Sequence, residues 1–299
     1  LSEILYEDMK YPIIKKTPKG APSTDASVLE ELSKSHELPK LILKYREYEK
    51  LRSTYIEGLK TVIENNRVHT SYNLFGTTTG RLSSEKPNLQ NIPNKTEMGQ
   101  KIREFFVADS KHTFVIADYS QIELRVLAHL SDDKNMINML KNRDADIHSE
   151  TAAKVFNTNI DSVTKDMRRK AKEVNFGLIY GMESFGLSKS LDITKKEADE
   201  LIKAYFGQFP KIKGFLEKIV VDATKNTYTE TLYGRKRFIR ELSSSNFQVK
   251  AMGKRIAMNA PIQGTASDIM KIAMIKLIQK LSSLESTNLL LQIHDEIII

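Results

Sequence analysis

Residues 289–299 read Leu-Leu-Leu-Gln-Ile-His-Asp-Glu-Ile-Ile-Ile, which is a polar turn between two apolar runs. This pattern predicts two buried strands with Asp295 at the turn between them. Residues 113–117 form another short apolar run that ends at Asp118, and they predict one more strand. Helical periodicity fills most of the chain between these runs. The predicted class is therefore α/β (α+β), with segregated helices and a small antiparallel sheet built from distant parts of the chain.

The rest of the chain reads as loops and helices. Residues 11–27 and 70–95 are rich in Pro, Gly, Ser and Thr, which is typical of loops, and long ordered loops often carry function. Between these loops, apolar and aromatic residues recur at helical spacing among Lys and Arg, so residues 28–65 predict long, basic, largely antiparallel helices. The remaining predicted elements are a helix over 120–130, mostly helices over 131–245 with a hairpin at 229–239, and a helix pair over 246–284.

The amino-acid composition limits the classes of protein to which this chain can belong. The chain has 299 residues, a net charge of +8 and a pI near 9.3, so two or three subdomains and a polyanionic partner are expected. It has no cysteine, which excludes disulfides and thiolate zinc sites. No apolar run approaches the ~18 residues that a membrane span requires. The first residue is Leu1 and the last residues lie in a predicted strand, so we expect a piece of a longer protein.

Two carboxylates stand at strand ends. Asp118 and Asp295 each place a charge beside an apolar element, which is costly unless the charge is paired or binds a metal. If the two strands are neighbours, the carboxylates face each other and suit Mg²⁺ in a two-metal phosphoryl or nucleotidyl transfer site. Two plainer interpretations remain open. Asp118 is also a suitable strand-end or helix N-cap residue, and Asp295 with Glu296 is also a suitable solvated turn.

A predicted helix that begins near Thr164 carries cations and aromatic rings at regular spacing. The side chains four residues apart are Arg168, Lys172, Phe176 and Tyr180. A nucleoside triphosphate has the same polarity, because the cations suit its phosphates and the rings suit its base. The alternative is a solvated basic face beside two core aromatics. Gly177 and Gly181 favour the first interpretation, because glycine inside a helix suggests close approach of another group to the backbone.

Other polar residues have ordinary explanations when taken alone. Glu123 follows Ser120 by three residues, which fits a capping box. A single His148 is more often a surface or core histidine than a ligand. One predicted helix carries three polar residues four apart, suited either to base edges and phosphates or to a plain solvent face: Arg255, Asn259 and Gln263.

Several segments together resemble the family A DNA polymerases, those of bacteria above all. The resemblance covers essentially the whole chain, with order and spacing preserved. The segments are 79–84 (Thr-Gly-Arg-Leu-Ser-Ser) and 87–93 (Pro-Asn-Leu-Gln-Asn-Ile-Pro), similar to the primer–template contact region; 118–125, similar to motif A; 168–181, similar to motif B; and 294–296, similar to motif C.

The resemblance implies a DNA-directed DNA polymerase with a right-hand architecture, acting in DNA replication and repair. Residues 1–75 are expected to be thumb, 76–130 the first part of the palm, 131–245 the fingers and 246–299 the second part of the palm. The palm sequence that usually follows motif C is absent, so the resemblance also predicts an incomplete sheet.

Site roles follow from the same resemblance. The expected catalytic residues are Asp118, Asp295 and Glu296. Two Mg²⁺ ions, with Mn²⁺ as an alternative, are expected on Asp118, Asp295 and the carbonyl of Tyr119. The expected nucleotide-binding residues are Glu123 as steric gate beneath the sugar, Phe176 on the sugar and base, Tyr180 near the templating position, and His148, Arg168 and Lys172 on the triphosphate. The expected DNA-binding residues are Arg81, Gln90, Asn91, Arg255, Asn259, Gln263 and His294.

The implied partners are primer–template DNA and dNTPs, with no membrane. The implied state is a monomer in the bacterial cytoplasm, associated with the nucleoid. Two alternatives remain. A phage-type single-subunit RNA polymerase shares several of these motif residues, but Glu123 beneath the sugar and Phe176 argue against it. The second alternative is a fragment that binds primer–template DNA without catalysis.

Overall fold

The structure is a computed structural model that describes residues 1–93, 96–142 and 146–299. The chain divides into two compact units. The first comprises residues 1–72 and 84–111, and the second comprises residues 73–83 and 112–299. The predicted first palm segment, 76–130, is therefore shared between the units, and the assignment of thumb, palm and fingers stays a prediction.

The first unit contains helices of 3 to 14 residues and a hairpin of two-residue strands. A core of Leu5, Tyr6, Val28, Leu29 and Leu32 holds its N-terminal part together. The helices are α1 (Ala26–Ser33), α2 (Glu37–Lys50), α3 (Gly58–Lys60) and α4 (Glu97–Arg103), with π-helical turns at Ile4–Asp8 and Leu51–Glu57.

A tight hairpin follows helix α3. Strands β1 (Ile63–Glu64) and β2 (Arg67–Val68) are antiparallel, and Asn65 and Asn66 between them both have positive φ. Asparagine tolerates this conformation better than most residues, which favours the two-residue turn. The chain crosses between the units within strands β3 (Ser71–Asn73) and β4 (Ser83–Glu85).

The second unit contains the small sheet that the sequence predicts. Its three strands are β5 (Ile116–Asp118), β8 (Leu291–Ile293) and β9 (Glu296–Ile298), in the order β5-β9-β8 with antiparallel pairing. The strands are only partly buried, which corrects the predicted burial. Ile297 and Gln292 are buried, whereas Ile116 is 56% exposed. Side chains alternate across a sheet, so a sheet packed on one face leaves half of them exposed.

Helices make up most of the second unit. They surround a core in which Leu124, Ile179, Tyr205 and Phe209 are fully buried, and full burial of a Leu, Ile or Phe side chain stabilises the fold by roughly 1.5–3 kcal/mol. The helices are α5 (Ile122–Ser131), α6 (Lys134–Lys141), α7 (Ile147–Val155), α8 (Lys165–Ile179), α9 (Ser184–Leu191), α10 (Lys195–Gln208), α11 (Pro210–Asn226) and α12 (Phe247–Leu281), with 3-10 turns at Ile160–Ser162 and Arg240–Ser243.

Of two further predictions for this unit, one is confirmed and the other is wrong. The hairpin near 229–239 is confirmed by the antiparallel strands β6 (Tyr228–Glu230) and β7 (Lys236–Phe238). The predicted helix pair over 246–284 is wrong, because α12 continues through Pro261. Proline removes one backbone hydrogen bond, and the buried neighbours Ala260 and Ile262 hold the helix together there. None of the helices in the described parts of the chain has the length and apolar character needed to cross a membrane.

Candidate active site

The sheet brings the two strand-end carboxylates together. Asp118 is the last residue of β5 and pairs in register with Glu296, the first residue of β9. The Tyr119 amide donates to the Asp295 carbonyl at 3.0 Å. Asp295 and His294 form the turn between β8 and β9, and His294 has φ +56°. The two strands are therefore neighbours, which is the condition on which the interpretation of paired carboxylates depends.

The electrostatics of this pair fit a cation-binding role. Desolvation by neighbouring atoms raises the pKa of the Asp118 carboxyl, and the negative charge of Asp295 raises this pKa further. Burial raises the pKa of Asp295 as well, although the Arg81 guanidinium partly offsets this effect. Carboxylates whose pKa values are raised by burial and by a neighbouring negative charge are stabilised in their ionised form by a hard divalent ion.

The donor set also matches such an ion. Glu296 lies beside the pair, and its buried Oε1 atom has no hydrogen-bond partner among the described residues. No cluster of three or more His, Asp or Glu side chains able to hold a metal occurs within 1–93, 96–142 and 146–299. Mg²⁺ is usually held by one or two carboxylates together with substrate phosphates, so a two-carboxylate site is a suitable one.

Glu123 lies at the centre of a polar network next to these carboxylates. It is only 5% exposed. Its Oε1 accepts from Arg81 Nη2 at 2.8 Å and from Gln263 Nε2 at 3.5 Å, and its Oε2 accepts from the Tyr180 hydroxyl at 2.9 Å. Arg81 also reaches Asp295 Oδ1 at 3.5 Å. The network therefore links the predicted steric gate to one of the predicted metal ligands.

The predicted capping box at Ser120 and Glu123 is wrong. Helix α5 begins at Ile122, and its N-cap is Gln121, which has φ +55° and makes no side-chain cap. Glu123 lies in the first turn, and its carboxylate is occupied by the Arg81 and Tyr180 side chains. Strong charge-assisted bonds to these partners take the place of the cap.

Helix α8 is confirmed with its N-cap at Thr164, whose hydroxyl accepts from the Met167 amide. Of the two glycines, Gly177 lies inside the helix with another group close by, as expected, whereas Gly181 does not lie in the helix. Gly177 lies in α8, and a Cβ there would lie 3.1 Å from Met182 Sδ. Gly181 lies beyond the helix end with φ +68°, and a Cβ there would lie 2.9 Å from Arg255 Cγ. Gly181 therefore ends the helix in the left-handed conformation that glycine favours, while α12 packs against it.

The cationic end of α8 meets α7. Arg168 donates from Nε and Nη2 to the Asp146 carboxylate, the N-cap of α7. Burial raises the Asp146 pKa, but the bonds from Arg168 and Ser149 outweigh burial and hold it at about 2. Lys172 is exposed one turn later on the same helix. The Arg168 and Lys172 positions agree with the predicted cationic face, and their ligand stays a prediction.

His148 and Phe176 lie together at this face. Their ring centroids are 5.6 Å apart, and His148 is 7% exposed. The His148 Nδ1 atom lies 3.2 Å from the Asn175 amide nitrogen. The side chain of His148 is therefore buried and fixed, rather than a surface histidine.

The predicted DNA-binding residues divide between the two units. Arg81, Arg255, Asn259, Gln263 and His294 belong to the second unit, whereas Gln90 and Asn91 belong to the first. Asn259 has a buried amide nitrogen without a partner among the described residues. In the first unit, the Asn91 carbonyl accepts from the Tyr55 hydroxyl, beside a cavity of about 450 Å³ lined by Lys50, Thr54 and Asn88.

Sequence reasoning missed residues that hold the site in place. Arg235 donates to Asp268 Oδ1 at 3.0 Å, to the Thr79 carbonyl at 2.7 Å and to the Gly264 carbonyl at 3.0 Å. Gly80 has φ +81°, and a Cβ there would lie 2.5 Å from Arg235 Cζ. Asn175 and Asp146 were missed as well. Two features of the sequence could have identified them. Arg235 directly follows the Tyr233-Gly234 turn, and Asn175 lies one helical turn after Lys172.

Comparison with known proteins agrees with this geometry. The family model for DNA polymerase family A matches residues 1–299. The chain is 50% identical over 303 residues to DNA polymerase I of Caldicellulosiruptor bescii and 45% identical over 302 residues to the thermostable DNA polymerase I of Thermus aquaticus. These matches cover 100% of this chain and 35% and 36% of the relatives, so the chain spans about a third of their length.

A solved structure is also similar. It is the POL domain of Pol1 from M. smegmatis, in complex with DNA primer-template and dNTP, with 40% identity and a TM-score of 0.93. The match covers 100% of this chain and 53% of that one. The helices and small antiparallel sheets described above thus form a polymerase-type α/β fold. The chain belongs to DNA polymerase family A.

Proposed function

We propose that this chain is the polymerase part of a DNA-directed DNA polymerase, which adds deoxynucleotides to a primer 3′ end under the direction of a template. The observation that carries the proposal is the pair Asp118 and Asp295, held together by β5 and β9 beside the Glu123 network. The names of the relatives, DNA polymerase I, support the same activity.

The chemistry assigned to the carboxylates is nucleotidyl transfer. Asp118 and Asp295, with the Tyr119 carbonyl, would hold two divalent ions, Mg²⁺ or Mn²⁺, and Glu296 lies next to them. Such ions, when bound, supply Lewis-acid stabilisation of the charge that develops on the transferred phosphate. The two Asp side chains contribute carboxylate oxygens in fixed positions at the strand ends.

The incoming nucleotide is assigned to α8. Arg168 and Lys172 supply permanent positive charge for the triphosphate, and His148 supplies a further hydrogen-bonding group. Phe176 offers an aromatic face to the sugar and base, and Tyr180 lies by the templating position. The side-chain stem of Glu123 would occupy the space beneath the sugar C2′, so a ribonucleotide would clash there.

DNA recognition is assigned to polar residues of both units. Arg81, Gln263 and His294 lie close to Glu123 and Asp295 and suit hydrogen bonds to the primer end. Arg255, Asn259, Gln90 and Asn91 complete the set. We further propose a monomer, located in the bacterial cytoplasm with the nucleoid, that takes part in replication and repair.

Primer extension with Mg²⁺ tests the proposal. Parent and Asp118→Asn chains receive the same primer–template, with dNTPs and rNTPs in parallel reactions, and DNA binding is followed by fluorescence anisotropy. We expect extension with dNTPs only, and none by the variant despite similar DNA binding. Extension with rNTPs at a comparable rate would instead support an RNA polymerase. Binding by both chains without any extension would indicate a DNA-binding module.

A further inference from the structure

Asn175 is a fully buried polar side chain that none of the assigned roles uses. It lies in α8 three residues after Lys172 and next to Phe176, with 0% of its surface exposed. Its amide nitrogen lies 3.2 Å from His148 Nδ1 and 3.1 Å from Thr151 Oγ1, so it bridges α8 to two residues of α7. A buried amide must form hydrogen bonds, and here one of its two partners belongs to the candidate nucleotide site.

The contact with His148 has a direction. With the Asn175 amide nitrogen facing the ring, His148 Nδ1 accepts from it, because an amide nitrogen donates hydrogen bonds and cannot accept them. The imidazole then carries no proton on Nδ1. A neutral imidazole of this kind carries its single proton on Nε2. A doubly protonated ring would point an N–H group at the Asn175 N–H, which is repulsive.

The charges around His148 favour the same neutral form. Burial is the main cause that lowers its pKa, and the positive charges of Arg168 and Lys172 lower the pKa further. Among the described residues Asp146 opposes them, and its carboxylate is already bound by Arg168. The ring is also fixed by Phe176, whose centroid lies 5.6 Å away at an interplanar angle of 54°.

We infer that Asn175 is a positioning residue for the nucleotide site, because its amide N–H fixes His148 in the neutral tautomer that carries its proton on Nε2. This inference rests on the proposed function, in which His148 contacts the triphosphate. The Nε2–H group is then an uncharged donor to a phosphate oxygen, while Arg168 and Lys172 supply the charge. Nucleotide binding by this face does not depend on protonation of a histidine.

Histidine NMR tests the tautomer without any nucleotide. The chain contains six histidines, and selective ¹⁵N labelling with a His148→Gln variant assigns the His148 signals. We expect Nδ1 to show the shift of an unprotonated ring nitrogen and Nε2 that of a protonated one, throughout the range around pH 6.5 where an ordinary histidine titrates. Protonation of Nδ1, or an ordinary titration of the ring, overturns the inference whatever the kinetics show.

Kinetics with Asn175→Asp test the consequence for the nucleotide. The carboxylate keeps the size of the side chain but accepts from Nδ1–H, so it favours the doubly protonated ring. We expect the ratio of variant to parent KM for dNTP to change roughly threefold or more between about pH 6 and 8, the interval in which His charge changes. Titration of the nucleotide itself cancels in this ratio, and kcat should change less than KM.

A double-mutant cycle separates positioning from packing. In a His148→Gln background, Asn175→Asp should give a KM ratio that no longer varies with pH, because Gln cannot become charged. A pH-dependent ratio that persists in that background assigns the effect to another group and overturns the inference. If the expected tautomer is found but His148→Gln leaves KM unchanged, the nucleotide contact in the proposed function fails, and the positioning role fails with it.

Discussion

The Tyr180 hydroxyl donates a hydrogen bond of 2.9 Å to Glu123 Oε2, which joins the C-terminal end of α8 to the first turn of α5. The other carboxylate oxygen accepts from Arg81 at 2.8 Å. With both oxygens bound, the Glu123 stem is held in one place. Burial and the negative Glu123 carboxylate together raise the pKa of Tyr180 to about 12, so the phenol remains a donor at neutral pH.

Truncation of Glu123 should change the choice of sugar. In Glu123→Ala the obstacle beneath the sugar C2′ is gone, and we expect the rNTP-to-dNTP ratio of kcat/KM to rise roughly 10- to 200-fold, the scale on which shape discriminates small groups. Both kcat/KM values are measured on one primer–template. The control Glu123→Gln keeps the stem and should retain most of the discrimination. An unchanged ratio in the Ala variant would revive the RNA polymerase alternative.

Neutralising Asp118 should stabilise the protein while abolishing its activity. The raised pKa means that the native state binds protons more tightly than the unfolded chain. Stability therefore falls as pH rises from the ordinary pKa of 3.8 through the raised value, and this penalty persists at neutral pH. In Asp118→Asn we expect a higher Tm in metal-free buffer and a loss of extension of roughly a thousandfold.

The matched control for this experiment is Asp222→Asn. Asp222 is an exposed residue of α11, and its substitution makes the same change in net charge. We expect Asp222→Asn to leave both Tm and extension nearly unchanged. A lower Tm for Asp118→Asn would mean that the Asp118 carboxylate is stabilising in the native state, contrary to its environment.

Substitution of Lys172 should weaken nucleotide binding and hardly change DNA binding. For Lys172→Ala we expect KM for dNTP to rise roughly tenfold or more, since a charge-assisted hydrogen bond is lost. The control is Lys170→Ala, because Lys170 lies on the same helix but pairs with Asp166 at 2.9 Å. If both variants weaken DNA binding equally and leave KM alone, α8 is a DNA-binding face.

Arg235 should stabilise the second unit through its forked guanidinium. A lysine side chain cannot donate hydrogen bonds to Asp268, Thr79 and Gly264 at the same time. Arg235→Lys is therefore expected to lower the free energy of unfolding by roughly 2–3 kcal/mol. Denaturation in urea measures the loss. The control Arg169→Lys alters an exposed pair with Asp166 and should cost under about 0.5 kcal/mol. Equal losses in the two variants would contradict a special role for Arg235.

Local patterns predicted part of this structure well. The strands beside Asp118 and Asp295 follow from the apolar runs that flank these carboxylates, and the start of α8 follows from Thr164 as an N-cap. The hairpin of β6 and β7 follows from a Tyr-Gly turn. In each case a short stretch of chain contains most of the information, because hydrogen-bond capping and strand alternation act over a few residues.

Other features depend on distant partners and could not be read from local pattern. The side chain of Glu123 satisfies a capping-box pattern, but Arg81 and Tyr180 provide stronger partners from elsewhere in the chain. Pro261 is a helix breaker by propensity, yet tertiary packing keeps α12 continuous. The role of Asn175 is likewise invisible without the neighbouring helix α7, since its partners are 24 and 27 residues away.

Because Gly80 is in contact with the Arg235 side chain, the effect of a substitution at either position depends on the residue at the other. The guanidinium fills the space of a Cβ at residue 80, so an alanine there would have to displace it and release the Thr79 and Gly264 carbonyls. Loss of Arg235 would remove the three atoms nearest to such a Cβ, while the backbone strain of φ +81° would remain. Gly80→Ala should thus be far more harmful with Arg235 present than without it. Deep mutational scanning of both positions would record strong positive epistasis between two residues that lie 155 positions apart.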